Sequence, residues 1–257
     1  MILRFVAKVN GKKYNCEMSG HSKWATIKRA KGAADLKRGL TFTKISNAIT
    51  IAVRTGGGIT DPNSNFKLRL AVEEARAANM PKDNIERAIQ KAVGKDAGEV
   101  EEVLYEGFAP EGVSVIIEAA TDNSLRTTSE IKSIFNKEGG SFGERGSVAY
   151  QFEQKGEIVL AKEGKTLDKA FDIAAESGAE DIADGAYGFV VYTKPADLAK
   201  VSGILKEKGF SITQAGLIRK PLVPMSIDGS AKRDRVINFL QKLEDLDDVQ
   251  KVYSNLS

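Results

Sequence analysis

The sequence predicts an α+β protein of several domains, with an N-terminal helical bundle followed by two ferredoxin-like α/β lobes. Apolar residues recur at helical spacing as far as about residue 95, and strand-like runs alternate with helical ones after it. The charge changes at the same place, because residues 19–95 carry fifteen bases and six acids whereas residues 96–257 carry nineteen bases and twenty-eight acids. A chain of 257 residues is long enough to bury more than one core.

The segment before residue 96 is predicted to form a small bundle of about four helices. Ile45, Ala48, Ile49 and Ala52 share one helical face, and the glycines Gly56–Gly58 end that helix. Residues 19–96 are therefore predicted to be a helical, basic domain. The predicted helices cover residues 24–38, 40–55, 65–80 and 84–94.

The remainder of the chain is predicted to form two α/β lobes. Residues 100–152 show a β-β-α-β pattern, and residues 157–224 show a nearly complete β-α-β-α-β pattern. Because the first pattern lacks a helix and a strand, the helix and strand of residues 230–257 are predicted to complete it. The predicted domains are a middle domain of residues 97–154 plus 225–257, interrupted by an inserted domain of residues 155–224.

The sequence also predicts where one strand breaks and where turns form in this part of the chain. The run SVAYQFEQ is predicted to be one strand and EIVLA to be the next, with a break at Gly156 between them. The glycines of GGSFGERGS are predicted to form turns, because they follow a helix and precede a strand, the opposite of the order in a dinucleotide-binding fingerprint.

Composition excludes several classes of protein. Hydrophobic residues make up 42% and charged residues 28% of the chain, no apolar run is long enough to span a membrane, and no targeting signal is evident. The single cysteine, Cys16, excludes an intramolecular disulfide, and with one histidine the chain lacks a Cys/His metal site. We expect a cytoplasmic protein with no cofactor and no metal.

Candidate catalytic groups are sparse. His21 and Cys16 have no partners of the kind that nucleophilic catalysis requires, and Gly56–Gly58 lack the Lys-Ser/Thr pair of a phosphate-binding loop. No catalytic residue is therefore assigned, and the protein is predicted not to be an enzyme. A hydrolase or transferase site in a cleft between the acidic lobes is kept as a remote alternative, since convergent carboxylates there would not show in a sequence.

The segment GHSKWATIKRAKGAADLKRGL carries the only histidine, the only tryptophan and six Lys or Arg against one acid. As a helix it has a narrow, alanine-rich apolar stripe, so docking on its own bundle would bury little surface. Its cations are predicted to bind phosphates, and Trp24 and His21 to stack on bases. For single residues the alternative is that Trp24 anchors the helix and the lysines are solvated. The candidate nucleic-acid-binding residues are His21, Lys23, Trp24, Lys28, Arg29, Lys31, Lys37, Arg38 and Lys44.

Several separate motifs, in order along residues 19–257, resemble the YebC/PmpR family. They are GHSKWATIKRAKGAADLKRG, FTK at 42–44, NMPKDNIERAI at 79–89, YEGF at 105–108, TDNSLRT at 121–127 and GSVAYQF at 146–152. The resemblance implies three domains, the middle one interrupted by the third. It also implies a non-enzymatic role, either as a DNA-binding transcriptional regulator or as a ribosome-associated translation factor similar to the mitochondrial translational activator of cytochrome oxidase.

The chain departs from this family at its start, because members usually begin at a Met that corresponds here to Met18. Residues 1–18 are therefore an extension, for which we expect a start site assigned too far upstream; the alternative is a hairpin added at VNGKK, which contains an Asn-Gly turn signal.

The predicted function is DNA-binding regulation of transcription, with ribosomal RNA binding as the alternative. Lysine-rich charge without an evident base-reading helix slightly favours RNA. The expected partner is nucleic acid, with no membrane partner and at most weak self-association.

Overall fold

The computed structural model describes residues 6–9, 12–15, 37–94, 100–185 and 188–257. These residues confirm the predicted α+β class, with a group of helices and two separate four-stranded antiparallel sheets. The helices are α1 Lys37–Thr55, α2 Phe66–Ala77, α3 Lys82–Val93, α4 Ser124–Glu138, α5 Leu167–Ser177, α6 Leu198–Glu207 and α7 Ser230–Glu244. The strands are β1 Val6–Val9, β2 Lys12–Asn15, β3 Glu101–Phe108, β4 Ser114–Thr121, β5 Ser141–Gly143, β6 Phe152–Leu160, β7 Asp181–Asp184, β8 Phe189–Thr193, β9 Ile212–Pro221 and β10 Val249–Ser254.

The chain divides into two compact units. One contains α1 to α3 together with β3 to β5, α4, α7 and β10, and the other contains Phe152–Pro224. The first unit is discontinuous in sequence, because its last helix and strand follow the second unit.

The N-terminal helices pack around α1, which contacts both α2 and α3. Of the four predicted core positions, Ile45, Ile49 and Ala52 are buried there, against residues such as Leu68 and Ile85, whereas Ala48 is only half-buried. The helix predicted over residues 24–38 falls outside the described residues except for its last two positions, which begin α1.

The first sheet has the strand order β10-β4-β3-β5, with all neighbours antiparallel. Since β4 and β5 are both antiparallel to β3, they run parallel with β3 between them, as in the split β-α-β unit of a ferredoxin-like sheet. Phe135 of α4 packs edge-on against Phe239 of α7 and Phe142 of β5, with centroid distances of 5.0 and 5.6 Å.

The second sheet has the order β7-β8-β6-β9 and the chain order β-α-β-β-α-β of a ferredoxin-like fold. The helices α5 and α6 contact this sheet and each other. Gly156, predicted to be a break, lies within β6: a Cβ there would meet Thr193 Oγ1 at 2.3 Å and Leu198 Cβ at 3.0 Å. The residue therefore allows a helix to approach the sheet closely.

Two strand predictions were wrong. The run SVAYQFEQ does not form one strand, since residues 149–151 form a 3₁₀ turn and β6 continues from Phe152 through Gly156 to Leu160. The strand that pairs with β3 at the edge of the first sheet is β5, within the segment whose glycines were predicted to form turns. The short strand β7, Asp181–Asp184, was not predicted, because only its two central residues are buried.

The N-terminal residues include a hairpin. Strands β1 and β2 are antiparallel, with Val9 opposite Lys12, so that they flank the Asn-Gly pair identified in the sequence. Among the described helices, none has the length and apolar character needed to cross a lipid bilayer.

Candidate nucleic-acid interface

The predicted binding segment lies largely outside the described residues. His21, Lys23, Trp24, Lys28, Arg29 and Lys31 belong to that part of the chain. Lys37 and Arg38 form the start of α1, so the structure places these two cations on the same helix as Lys44.

Lys44 is half-buried, and its ammonium donates a hydrogen bond to the main-chain carbonyl of Glu244. This carbonyl lies at the C-terminal end of α7, where unpaired carbonyls and the helix dipole favour a cation. The contact joins α1 to the end of a helix 200 positions away in sequence. Lys44 therefore has an internal partner, which the sequence did not reveal.

Arg54, at the end of α1, makes a similar contact. Its guanidinium donates to the carbonyl of Val100 at 3.0 Å, immediately before β3. Two cations of α1 thus fasten the helix to the sheet-containing part of the same unit, and this contact stabilises the fold.

The loop between α1 and α2 is held by its own polar groups. Asn65 caps α2 by accepting the N–H of Leu68 at 3.1 Å, and its amide donates to the carbonyls of Ala52 at 2.9 Å and Ile59 at 3.1 Å. Arg69 donates to the carbonyls of Pro62 and Asn63 at 3.0 and 2.9 Å. The loop is therefore a fixed structure between two helices.

Other cations of this unit face solvent and have no partner among the described residues. Arg76 of α2 and Arg87 and Lys91 of α3 are exposed and form no ion pair with another described residue. Lys82 pairs with Glu86 at 3.3 Å, but both side chains are largely exposed, so the pair contributes little to stability. Arg87 and Lys91, one helical turn apart, were not among the predicted site residues. The sequence signal was available in their spacing, because both lie away from the buried positions Ile85 and Ala88.

The other sequence motifs meet within the sheet-containing part of the first unit. The Glu106 carboxylate of YEGF accepts three main-chain N–H groups of the GSVAYQF motif, those of Gly146 at 2.7 Å and of Val148 and Ala149 at 2.8 Å. The two motifs are therefore joined by a set of buried hydrogen bonds, which we call the Glu106 clamp.

The TDNSLRT motif forms a second clamp around Asp248. Arg126, Thr127 and Thr121 donate to its carboxylate at 2.8, 2.6 and 3.1 Å. Burial alone would raise the pKa of Asp248, but the hydrogen bonds from Arg126 and Thr127 outweigh it and leave the pKa below its ordinary value. The hydrogen bonds that Arg126 donates to Asp248 and Asp122 raise its own pKa.

Comparison with known proteins places this arrangement in a family. The family model described as the TACO1/YebC protein N-terminal domain matches residues 22–95, and the model of the TACO1/YebC second and third domain matches residues 100–256. A protein of Dictyoglomus turgidum named "Probable transcriptional regulatory protein" is 48% identical over 240 residues, which cover 93% of this chain and 95% of the relative. A protein of Treponema denticola with the same name is 49% identical over 93% of this chain and 96% of its own length.

A solved structure agrees with these sequence relatives. The crystal structure of a conserved hypothetical protein from Aquifex aeolicus matches with a TM-score of 0.80 and 42% identity, over 87% of this chain and 91% of that one. With both family models matching in order and the same fold in a solved relative, the chain belongs to the TACO1/YebC family.

Proposed function

We propose that this protein is a non-enzymatic, cytoplasmic regulatory factor that binds nucleic acid through a helical basic domain of residues 19–96. The observation that carries the proposal is the charge partition, a net of +9 over residues 19–95 against −9 over residues 96–257. Cations that neutralise phosphates release condensed counterions, which makes such a domain a strong, sequence-tolerant binder. The exposed side chains of Arg76, Arg87 and Lys91 extend this charge onto the described helices.

The proposed contact residues are the cations and rings of the basic segment together with the first turn of α1. Within this set Lys44 differs from the others, because its ammonium already contacts the carbonyl of Glu244. We assign it the role of fastening α1 to the end of α7. The direct contacts are His21, Lys23, Trp24, Lys28, Arg29, Lys31, Lys37 and Arg38.

Duplex DNA is the first candidate partner, since the similar proteins are named transcriptional regulatory proteins. In this form the protein regulates transcription. Sequence-specific DNA recognition needs side chains that read base edges, usually from one helix in the major groove.

Ribosomal RNA is the second candidate, and one observation favours it. The guanidinium groups of Arg54 and Arg69 donate to main-chain carbonyls, so these planar donors stabilise the protein structure. The solvent-facing cations that remain are spread over two helices, an arrangement that suits phosphate contacts better than base reading. In this form the protein assists translation on the ribosome.

The first test reverses the charge of the basic segment. The variant Lys28→Glu, Arg29→Glu, Lys31→Glu, Lys37→Glu and Arg38→Glu should lose nucleic-acid and ribosome association while its thermal unfolding midpoint changes little. The matched control reverses five exposed lysines elsewhere that form no ion pair with another described residue: Lys137, Lys169, Lys194, Lys200 and Lys208. Equal binding by both variants would contradict the proposal, because the net charge alone would then control association.

The second test separates the two partners. Crosslinking in cells, followed by sequencing of the attached nucleic acid, should give predominantly promoter DNA for a transcriptional regulator. Predominantly ribosomal RNA would contradict the transcriptional form and support the translational one. Recovery of neither above the level of the reversed variant would contradict both forms.

A further inference from the structure

An open cleft lies beside the short strand β5 in the acidic part of the chain. Its volume is about 760 Å³, which is within the roughly 300–1,000 Å³ of small-molecule sites. Its walls come from β3, α4 and the segment from Gly140 to Arg145. None of the residues that form it belongs to the basic segment.

Aromatic side chains form part of the cleft. The half-buried ring of Phe142 packs edge-on against Phe135 with centroids 5.6 Å apart, and it lies 6.2 Å from the ring of Tyr105 at an angle of 51°. Two neighbouring rings thus hold Phe142 in position while part of its surface stays accessible. A fixed, partly accessible ring is the surface on which a planar base stacks.

Cations and an amide surround this ring. The ammonium of Lys132 lies 5.1 Å from the centroid of Phe142, and Arg145 and Asn136 line the same cleft. All three side chains are exposed, and none forms an ion pair or a side-chain hydrogen bond within the described part of the chain. Arg145 and Asn136 therefore offer donors to a ligand without breaking an ion pair or hydrogen bond, whereas Lys132 would exchange its contact with the Phe142 ring for one with the ligand.

Two carboxylates line the cleft together with the two cations. Glu106 keeps its negative charge, but its oxygens accept the N–H groups of Gly146, Val148 and Ala149, whose dipoles stabilise that charge. Glu144 is exposed at the rim and is the one other acid among the lining residues. The cleft is therefore formally neutral in a part of the chain that is acidic as a whole, and its two cations form no ion pair with another described residue.

We propose that this cleft binds a single nucleotide, with its base stacked on Phe142 and its phosphate held by Lys132 and Arg145. The Asn136 amide, which carries both a donor and an acceptor, hydrogen-bonds the edge of the base or the ribose. A base stacked on an aromatic ring and a phosphate held by cations are the recurring contacts of single-stranded nucleic-acid sites. The nucleotide is either a free nucleoside monophosphate or one unstacked residue of a single strand.

An extended peptide is the competing ligand. Strand β5 pairs only with Glu106, Gly107 and Phe108, so the start of β3 has an open edge next to the cleft, to which a peptide strand could add. This edge carries the exposed carboxylates of Glu101 and Glu102, which would repel the acidic peptide that Lys132 and Arg145 attract. The charges therefore favour a nucleotide in the cleft over a peptide on the edge.

The test measures binding of AMP, GMP, CMP and UMP to the full-length chain by calorimetry and by amide chemical shifts. At least one mononucleotide should bind, with shifts at Phe142 and Gly143. The substitutions Lys132→Gln, Arg145→Gln and Phe142→Leu should each weaken binding by about tenfold, the order expected for loss of one stacking or phosphate contact. The matched control is Lys137→Gln, an exposed lysine of α4 that does not line the cleft, and it should bind as the native chain does.

Further measurements distinguish a free nucleotide from a single strand and test this proposal independently of the interface proposed above. A trinucleotide that binds about tenfold tighter than the mononucleotide identifies a single strand as the source, and equal affinities identify a free nucleotide. The chain with the five charge reversals in its basic segment should keep mononucleotide binding, so failure of the interface proposed above leaves this result unchanged. Absence of binding by all four mononucleotides, equal loss in Lys137→Gln, or binding of an acidic peptide in their place would overturn the proposal.

Discussion

The carboxylate of Glu106 accepts the main-chain N–H of Val148 at 2.8 Å, across 42 positions of sequence. Glu106 is almost completely buried, and two further N–H groups, those of Gly146 and Ala149, also donate to its carboxylate. A buried carboxylate held in this way fixes the turn that leads from β5 to β6.

Replacing Glu106 by Gln should therefore destabilise the protein strongly. An amide has one acceptor oxygen and an N–H₂ group that would face donors, so at least one main-chain N–H is left unsatisfied, at a cost of about 3 kcal/mol in the free energy of unfolding. Urea denaturation measures this change. The neighbouring exposed Glu144→Gln should change stability by less than about 0.5 kcal/mol, and equal losses in the two variants would contradict the clamp.

Gly56 is expected to tolerate no larger side chain. A Cβ at this position would lie 2.2 Å from Nδ2 of Asn65 and 2.9 Å from the carbonyl oxygen of Ala52, so Gly56→Ala would displace the residue that caps α2. We expect Gly56→Ala to lower the free energy of unfolding by about 2–3 kcal/mol, as for overpacking of a core. The control is Gly203→Ala in α6, where a Cβ has no neighbour within 4 Å. Because Ala has a higher helix propensity than Gly, this change should raise the free energy of unfolding by about 0.5–1 kcal/mol. Thermal unfolding distinguishes the opposite signs.

The stability of the first unit should depend on pH through Asp248. Because the pKa of this carboxyl is lower in the folded protein than in the unfolded chain, its contribution is present above the unfolded value of about 3.9 and is lost as pH falls through the folded value. Asp248→Asn should therefore be less stable than the native chain at neutral pH, and the difference should shrink in acid. Denaturation at a series of pH values measures it.

Asp122 provides the comparison for this prediction. It also binds Arg126, at 2.9 Å, but 61% of its side chain is exposed, so Asp122→Asn should change the free energy of unfolding at neutral pH by much less than Asp248→Asn does. A constant difference between native protein and Asp248→Asn across the acid range would show that the Arg126 contact does not act through ionisation.

Binding through the basic segment should depend steeply on salt. If the five cations Lys28, Arg29, Lys31, Lys37 and Arg38 each neutralise one DNA phosphate, the logarithm of the affinity should fall with the logarithm of salt with a slope of about −4.5. The fivefold Glu variant should bind too weakly to give this slope, whereas the five-lysine control of the acidic part should keep it. Fluorescence anisotropy over a salt series measures both, and a slope near zero for the native chain would contradict phosphate binding.

Local patterns predicted the parts of the fold that depend on neighbours in sequence. Ile45, Ile49 and Ala52 could be assigned to the core, because helical spacing alone brings them to one face. Strand β5 and the turn before β6 could not be predicted from local patterns, because the conformation there depends on Glu106, which lies far upstream. The short strand β7 was missed because an acidic residue at each end hides two buried positions.

The two candidate sites also differ in how far the sequence predicts them. The basic segment was evident from composition, since clustered charge needs no knowledge of the fold. Composition did not reveal the contact of Lys44 with Glu244 or the cleft around Phe142, because each brings together residues from separate elements. Whole-chain net charge also conceals the cleft, where two cations lie within an acidic part of the sequence.

The place of β10 in the first sheet has a consequence for synthesis of the chain. Strand β4 lies between β3 and β10, so one of its two partners is made only when the last residues leave the ribosome. Until then Val115, Ile116 and Ile117 lie beside an open edge, while Phe152–Pro224 already contains every strand of its own sheet. The inserted unit is therefore expected to fold first, and a nascent chain stalled before Val249 should be the one most exposed to aggregation and chaperones.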